Sequence, residues 1–264
     1  MTHEPFVLTE PSGPVRRLVM NRPRQRNPLS AAMIEALRAQ IDQAGADPGV
    51  RVVILAGAGA GFCAGHDLAE MQGHLADGDG GLGFFRGLMG DCSALMQAIV
   101  ASSKPVIAEV RGVATAAGCQ LVASCDLAVA EAGARLATPG VNLGLFCSTP
   151  MVALSRAVPR KRAMEMLLLG DFVGADEALA MGLVNRVVPD AALQSSAMDL
   201  ARRIASRSAG AIAVGKRLFQ AQLDLDLAQA YAQASEAMAI NMLSRDAAEG
   251  VAAFLEKRAA VWRG

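Results

Sequence analysis

Residues 112–126 read GVATAAGCQLVASCD, and this stretch decides how the rest of the chain is interpreted. The residues just before it, 105–110 (PVIAEV), have the apolar composition of a buried strand. Small residues then precede an apolar pattern with helical spacing. The first turn of a buried helix leaves backbone N–H groups without partners at the positive end of the helix dipole. This stretch therefore predicts a place where negative charge on an oxygen atom is stabilised.

A second stretch of similar character lies at residues 62–68, FCAGHDL. It follows the strand pattern RVVILAG of residues 51–57 and a glycine-rich turn. Its small residues leave the backbone amides accessible to a ligand. By itself the stretch is more typical of an ordinary turn between a strand and a helix. Two such loops, however, can converge on one carbonyl oxygen, and together they predict an oxyanion hole.

Composition restricts the kinds of partner. Of the 264 residues, 53% are hydrophobic and 19% charged, which is apolar enough to predict burial between subunits. The 25 basic residues balance 25 acidic ones, and no basic stripe alternates with aromatic residues, so we expect a small-molecule partner and no nucleic acid.

The five cysteines show neither CxxC pairs nor a histidine at zinc spacing, so no metal site is predicted.

The N-terminal sequence bears on location. Residues 1–13 lack the basic start and apolar run of a secretory signal, and no uncharged stretch has the length of a membrane span. We therefore expect a cytoplasmic protein that does not associate with a membrane.

The order of strand and helix patterns predicts an α/β fold with largely parallel strands. An amphipathic helix is expected at residues 30–44, with Ser30 as its N-cap. Residues 73–83, GHLADGDGGLG, are too rich in glycine for a helix or strand and are predicted to form a mobile loop. The strand patterns cover residues 15–20, 52–56, 105–110 and 126–130.

The second half of the chain is predicted to be mainly helical. From residue 149 onward the helical pattern is interrupted at residues 183–188, and two helices are expected within residues 227–258 that pack onto a neighbour. We expect one domain unit, with a core in residues 1–200 and a C-terminal helical region in residues 201–264.

Five segments follow one another along the chain: NRPRQRNPLS at 21–30, GAGAGFCAGHDLAEM at 57–71, KPVIAEVRGVATAAGCQLVASCDLAVA at 104–130, ATPGVNLGL at 137–145 and GLVNRVVP at 182–189. With these segments the chain resembles the enoyl-CoA hydratase/isomerase (crotonase) superfamily, and it looks most similar to the branch called enoyl-CoA hydratase domain-containing protein 3. The resemblance implies a crotonase-like spiral of ββα units with a C-terminal helical trimerisation region, assembled as a homotrimer or a dimer of trimers.

The resemblance also implies roles for particular residues. The backbone amides of His66 and Ala117 would form the oxyanion hole for an acyl-CoA thioester, with coenzyme A as part of the substrate and no separate cofactor. The implied substrate-binding residues are Arg24, Gln25 and Arg26 at the nucleotide end of CoA, Ala64, Asp67, Leu68 and Ala69 along the acyl channel, and Phe254 and Lys257 reaching across from a neighbouring subunit.

Two positions depart from the family pattern. Gln120 and Gly140 stand where the family has its two catalytic glutamates, and neither is acidic. Addition of water to an enoyl thioester needs one group that accepts a proton and one that delivers a proton. Because losing such help costs roughly 10²–10⁴ in rate, hydration by the usual mechanism is not expected.

Three functions therefore remain open. The first is a hydratase/isomerase-type enzyme that stabilises a thioester oxyanion with an atypical site. The second is an acyl-CoA decarboxylase or thioester hydrolase that uses His66 or Cys147. The motifs AGHD and VNLG also occur in the methylmalonyl-CoA decarboxylase branch, and Cys147 stands where the chlorobenzoyl-CoA dehalogenase branch has a nucleophilic aspartate. For His66 a packing role is an equally open interpretation, and for Cys147 a packing role is the favoured one. The third function is non-catalytic binding of acyl-CoA.

Other polar residues near these motifs are expected to have structural roles. These roles are assigned to Asp67, Glu70 and Asp126, whereas Glu109 is left free to face either side of its strand. For Ser148 and Thr149, a chemical role beside Cys147 and a role as N-cap of the next helix are equally open.

Overall fold

The structure is a computed structural model that describes residues 4–263. Strands and helices alternate through its first two thirds, and helices dominate the remainder. The strands are β1 Val7–Ser12, β2 Val15–Met20, β3 Val52–Gly57, β4 Gly61–Cys63, β5 Val106–Val110, β6 Val113–Thr115, β7 Leu127–Glu131, β8 Arg135–Ala137, β9 Val173–Gly174 and β10 Arg186–Val188. The helices are α1 Ala31–Ala46, α2 Leu68–His74, α3 Leu82–Ala101, α4 Ala117–Ser124, α5 Ser148–Ala157, α6 Arg160–Leu169, α7 Ala175–Ala180, α8 Leu193–Ala205, α9 Ala209–Gln222, α10 Leu227–Met242 and α11 Arg245–Leu255. Short 3₁₀ helices lie at Pro23–Gln25, Pro139–Leu143 and Asp190–Ala192.

The strands form two sheets. The larger has the order β1-β2-β3-β5-β7-β10, and its strands are parallel except for the antiparallel pair of β1 with β2. The smaller has the order β4-β6-β8-β9, with only the β8–β9 pair antiparallel. Largely parallel pairing was predicted from the alternation of strand and helix patterns.

Each turn of the fold repeats one path. A strand of the larger sheet is followed directly by a short strand of the smaller sheet, as in β3–β4, β5–β6 and β7–β8, and helical structure then returns the chain. This is the spiral of ββα units that the resemblance implies. The path places the ends of β4 and β6 side by side, since these strands are parallel neighbours.

Helices cover both faces of the larger sheet, as burial of parallel strands requires. One face packs with α1, α3 and α4 around the large core that contains Val53 and Ala108. The other face carries Ile54 and Ile107 and packs against α8. The predicted N-cap of α1 is confirmed, because the Ser30 hydroxyl accepts a hydrogen bond from Met33 N at 3.2 Å.

The predicted strands agree with β2, β3, β5 and β7 to within one residue at each end. The prediction that residues 73–83 lack regular structure is wrong at both ends, because α2 continues to His74 and α3 begins at Leu82. The Asp79 carboxylate accepts hydrogen bonds from Gly81 N at 2.9 Å and Gly83 N at 2.7 Å. These bonds satisfy backbone amides at the start of α3 and help the helix to begin there. The glycine content of the segment does not reveal this contribution of Asp79.

Two further sequence predictions need correction. The second half contains the short strand β9 as well as β10, because Val173 and Gly174 pair antiparallel with β8. The N-cap position of α5 is occupied by Cys147, whereas Ser148 and Thr149 lie within the first turn of the helix.

The C-terminal helices leave much of their apolar surface uncovered. Neither α9 nor α10 has a buried residue. The boundary predicted between residues 200 and 201 falls inside α8, whose Ala197 and Ala201 are both buried against the sheet. Among the described residues no helix is both long and apolar enough to cross a bilayer. The most exposed large apolar side chains of this region include Phe219, Leu227, Tyr231, Met238, Leu243, Phe254 and Leu255.

Candidate functional site

The two stretches singled out in the sequence form adjacent loops. β4 and β6 run parallel with Cys63 opposite Ala114, so the chain leaves both strands at the same edge of the smaller sheet. The first loop leads through Ala64 and Gly65 to His66, and the second leads through Ala116 into α4. Both loops are therefore positioned by one strand pair.

The backbone of the first loop orients the amide of His66. The carbonyl oxygen of Gly65 accepts a hydrogen bond from Leu29 N at 2.7 Å. Because a trans peptide unit is planar, the His66 N–H of the same unit points away from Leu29. Within residues 4–263 this N–H donates to no acceptor.

The second loop orients the amide of Ala117 in the same way. The carbonyl oxygen of Ala116 accepts the first hydrogen bond of α4, from Gln120 N at 3.0 Å, so the Ala117 N–H of that peptide points out of the helix N-terminus. Ala116 has φ 50° and ψ −117°, which is a strained conformation for a residue with a side chain. No side chain caps this helix end.

The two loops touch each other. Gly65 has φ +93°, and a Cβ added there would lie 3.0 Å from the Cβ of Ala116 and 3.7 Å from Ala117 N. The hydroxyl of Thr115 donates to the carbonyl oxygen of Ala64 at 2.9 Å. The structure thus brings the predicted residues Ala64, His66 and Ala117 into one region, at the N-terminus of α4.

His66 itself is half-buried. Its Nε2 atom is buried and has no hydrogen-bond partner among the described residues. Burial lowers the pKa of its imidazole from 6.5 to about 4, because the charged form loses hydration. The side chain is therefore neutral at pH 7, and its buried Nε2 atom makes no hydrogen bond within the described region.

Gln120 is buried in the second turn of α4, with its Oε1 atom 4.0 Å from the sulfur of Cys92. An amide at this position neither takes up nor releases a proton near neutral pH. Gln120 therefore supplies no group for proton transfer.

Gly140 and Cys147 contact each other. The Gly140 N–H donates to the Cys147 sulfur at 3.3 Å, and a Cβ on Gly140 would lie 2.9 Å from that sulfur and 2.9 Å from the carbonyl oxygen of Leu145. Burial raises the pKa of the Cys147 thiol. A thiol with a raised pKa is a weak nucleophile, because the thiolate is the reactive form.

The basic segment at Arg24, Gln25 and Arg26 is exposed on a short 3₁₀ helix and the residue after it. Neither arginine forms an ion pair with a described residue. The segment is joined to the first loop, since Ala64 N donates to the carbonyl oxygen of Arg26 at 2.9 Å. These cations are therefore available to an anionic ligand near the loops.

The segment after His66 starts α2. Asp67 is its N-cap, and its Oδ1 atom accepts from Ala69 N at 3.1 Å and Glu70 N at 3.2 Å. This bears out the structural interpretation of Asp67. Leu68 and Ala69 are exposed, so their side chains are free to contact a ligand.

Phe254 and Lys257 are not brought to the loops within one protomer. They lie at and just beyond the end of α11, which packs mainly against α10. Phe254 is 82% exposed. Contact of these residues with an acyl-CoA site would require a second copy of the chain.

The remaining carboxylates have structural partners. Glu70 accepts from Ala31 N at 3.0 Å, and Asp126 pairs with Lys216 at 2.7 Å. Glu109 lies on the α8 side of the sheet and forms a bidentate pair with Arg17, at 2.9 and 2.7 Å. No role as a base near the two loops follows for any of them.

Two residues that sequence reasoning passed over hold the loops in place. One is Thr115, described above. The other is Asn27, which is fully buried and has φ 55°; its amide donates to the carbonyl oxygens of Gly61 and Phe62 at 2.8 and 3.2 Å. The Asn-Pro pair at 27 and 28 was the available signal, because asparagine tolerates the left-handed conformation and this dipeptide marks turns.

Comparison with known proteins assigns the class. The sequence profile of the family "Enoyl-CoA hydratase/isomerase" matches residues 10–264, so the chain belongs to this family. It is a crotonase-superfamily protein similar to enoyl-CoA hydratases.

Particular relatives refine this assignment. The chain is 46% identical over 248 residues to enoyl-CoA hydratase domain-containing protein 3, mitochondrial, of Rattus norvegicus, covering 94% of this chain and 81% of that protein. Its counterpart in Homo sapiens is 47% identical over 248 residues, covering 94% and 80%. The resemblance to this branch is thereby confirmed.

Solved structures confirm the fold. An enoyl-CoA hydratase of Mycobacterium smegmatis superposes with a TM-score of 0.94 at 48% identity, covering 99% of this chain and 100% of that one. Human enoyl-CoA hydratase domain-containing protein 3 superposes with a TM-score of 0.92 at 45% identity, covering 97% and 100%. The predicted crotonase fold is therefore correct.

The expectation of a cytoplasmic protein is wrong on this comparison. Relatives that are 44–47% identical are named mitochondrial. The expectation depended on the lack of a secretory signal, and that lack does not distinguish cytoplasm from other compartments.

Proposed function

We propose that this protein binds an acyl-CoA thioester and polarises its carbonyl group, with the oxygen accepting hydrogen bonds from the N–H groups of His66 and Ala117. The observation that carries the proposal is that these two amides, on touching loops, both lack an acceptor in the described part of the chain. Two N–H donors held in place before a ligand arrives stabilise an enolate oxygen without reorganisation, and removing one such donor typically costs roughly 10²–10³ in rate.

The nucleotide end of the substrate would meet the exposed Arg24 and Arg26. Guanidinium groups suit phosphate oxygens because they present several N–H donors in a planar fork. Gln25 lies between them on the same exposed segment. Leu68 and Ala69 would contact the acyl chain, and coenzyme A enters as part of the substrate, so the proposal needs no separate cofactor.

The reaction class follows from what the site retains and lacks. An enolate oxygen has donors at His66 and Ala117, whereas positions 120 and 140 carry no acid or base. We therefore expect an enzyme of the hydratase/isomerase superfamily that stabilises a thioester oxyanion and lacks the usual hydration mechanism.

The free nitrogen of His66 favours decarboxylation as a second candidate. Loss of CO₂ from a malonyl-type thioester breaks a carbon–carbon bond and places the electron pair on the thioester oxygen, so the step needs oxyanion donors and no base. The resulting enolate then takes a proton at its α-carbon from water. The unpartnered Nε2 atom of the neutral His66 imidazole is buried, so the ring would have to turn toward the ligand to hydrogen-bond the substrate carboxylate. The buried thiol of Cys147 gives thioester hydrolysis less support.

Oligomerisation would complete the site. The uncovered apolar faces of α9, α10 and α11 are suited to burial against other copies, and we propose a homotrimer or a dimer of trimers. Phe254 and Lys257 would then reach a neighbour's acyl-CoA.

One experiment separates the three functions. Purified protein is mixed in parallel with crotonyl-CoA and with methylmalonyl-CoA, and the products are identified by mass spectrometry while binding is measured by calorimetry. Loss of CO₂ that His66→Ala abolishes would support decarboxylation, and tight binding without turnover would support a non-catalytic binding protein. Hydration of crotonyl-CoA at ordinary enzymatic rates would contradict the role given to positions 120 and 140, and absence of binding to both thioesters would overturn the proposal.

A further inference from the structure

We infer that Thr115 is a positioning residue that sets the spacing of the His66 and Ala117 amides, an inference that rests on the proposed function. Its hydroxyl donates to the carbonyl oxygen of Ala64 at 2.9 Å. This is a side-chain bond between the two amide-bearing loops, across 51 residues of sequence. Nothing in the motif pattern of the sequence assigned Thr115 a role.

The bond lies where the strand pairing ends. The last registered pair of β4 and β6 is Cys63 with Ala114, and the Thr115 hydroxyl adds one more link just beyond it, to Ala64. Backbone pairing alone therefore does not fix the first loop past Cys63 relative to the second. The hydroxyl continues the connection between the two loops by one residue.

The bond restrains the peptide unit that precedes Gly65. The Ala64 carbonyl belongs to this unit, and Gly65 follows it with φ +93°. A glycine has the widest conformational freedom of any residue, so its left-handed conformation needs external restraints. The Leu29 bond to the Gly65 carbonyl and the Asp67 bond to the Leu29 carbonyl hold the backbone after Gly65. The Thr115 bond adds a restraint on the peptide unit before Gly65, and this unit helps to set the direction of the His66 N–H.

Thr115 also leads directly into the second loop. Thr115 directly precedes the strained Ala116, whose N–H donates to the carbonyl oxygen of Ala137 at 2.9 Å. Movement of the Ala64 carbonyl relative to Thr115 would thus change the separation of the two amides without unfolding either loop. Two donors on one oxygen are effective only when both lie within hydrogen-bond distance of it.

The test uses two ligands that differ at the carbonyl. Calorimetry gives the affinities for an acyl-CoA thioester and for the matching alkyl-CoA thioether, which has no carbonyl oxygen. Their ratio reports the contribution of the amides, because the rest of the ligand is common to both.

The variants are Thr115→Val, which keeps the shape and removes the hydroxyl, and Thr115→Ser, which keeps the hydroxyl. Thr9→Val, on an exposed strand where the hydroxyl bonds Gln40, is the matched control.

We expect the thioester preference to fall about three- to tenfold in Thr115→Val, which corresponds to the net effect of one hydrogen bond. Thioether affinity should stay unchanged, and Thr115→Ser and Thr9→Val should retain the wild-type preference. Urea unfolding establishes that each variant is folded, and Thr115→Ala replaces Thr115→Val if the latter is not. An unchanged preference in the folded variant, or an equal loss of both affinities, would overturn the inference. A wild-type protein without any thioester preference would instead overturn the proposed function.

Discussion

Cys147 packs directly against the backbone of Gly140 and fills the space that a side chain at position 140 would need. The Gly140 N–H donates to the Cys147 sulfur at 3.3 Å, and a Cβ on Gly140 would lie 2.9 Å from the same atom. Such a Cβ would also lie 2.9 Å from the Leu145 carbonyl oxygen. The lack of a side chain at position 140 is therefore a packing requirement of this loop.

Gly140→Ala should lower the free energy of unfolding by about 1–3 kcal/mol, because the added methyl group overpacks the loop. Adding Cys147→Ala should recover part of this loss, since it removes one of the two close contacts. Urea unfolding of the single and double variants measures the coupling. Gly45→Ala, in α1 with no atom within 4 Å of the added Cβ, is the control. A Gly140→Ala variant as stable as wild type would show that the loop adapts freely.

Placing glutamates at positions 120 and 140 should not produce hydratase activity. In Gln120→Glu combined with Gly140→Glu, the side chain at position 140 has to displace Cys147 or Leu145, so its carboxyl group does not reach a defined position. Crotonyl-CoA turnover, followed by mass spectrometry, checks this expectation. Hydration at ordinary rates in the double variant would mean that the loop rearranges to accept the glutamate.

Gly65→Ala should separate the two loops. The added Cβ would lie 3.0 Å from the Ala116 Cβ and 3.1 Å from the Thr115 carbonyl oxygen, and φ +93° is unfavourable for alanine. We expect a loss of about 1–3 kcal/mol in stability and a weakened preference for thioester over thioether ligands. Gly73→Ala, which lies in α2 with open space around it, should be neutral or slightly stabilising. Normal thioester preference in Gly65→Ala would argue against close contact of the loops in solution.

The stability of the protein should depend on His66 between pH 6.5 and about pH 4. The folded-state pKa is lowered by burial from 6.5 to about 4, so the unfolded chain binds a proton in this range and the folded chain does not. The contribution is fully present above pH 6.5 and decreases as the pH falls toward 4. Unfolding midpoints measured across this range should show wild type losing stability relative to His66→Gln as the pH falls. Parallel pH profiles for the two proteins would contradict a buried neutral imidazole.

The sequence predicted the fold because its motifs occur in family order and its strand patterns are long and apolar. It did not predict β4, β6, β8 and β9, since two or three residues are too few for a periodic signal. The six-residue β1 was also missed, because most of its residues are exposed and it contains Pro11. The glycine-rich segment at 73–83 was misjudged because the Asp79 side chain supplies the missing hydrogen bonds.

For the candidate site, the sequence indicated the identity of the loops but not what holds them together. Asn27 and Thr115 act through contacts with residues 34 to 51 positions away, and no local pattern reports such contacts. The resemblance predicted that Gly140 stands at a glutamate position of the family, whereas only the structure shows that Cys147 fills the adjacent space.

The carbonyl-binding half of the site can be observed without any turnover. Isotope-edited infrared spectroscopy measures the stretching frequency of a labelled thioester carbonyl in acyl-CoA bound to the protein and free in water. We predict a clear shift to lower frequency on binding to wild type, because two N–H donors draw electron density toward the oxygen, and a smaller shift with Gly65→Ala. A bound thioester whose carbonyl frequency equals that in water would contradict a pair of amides acting on that oxygen.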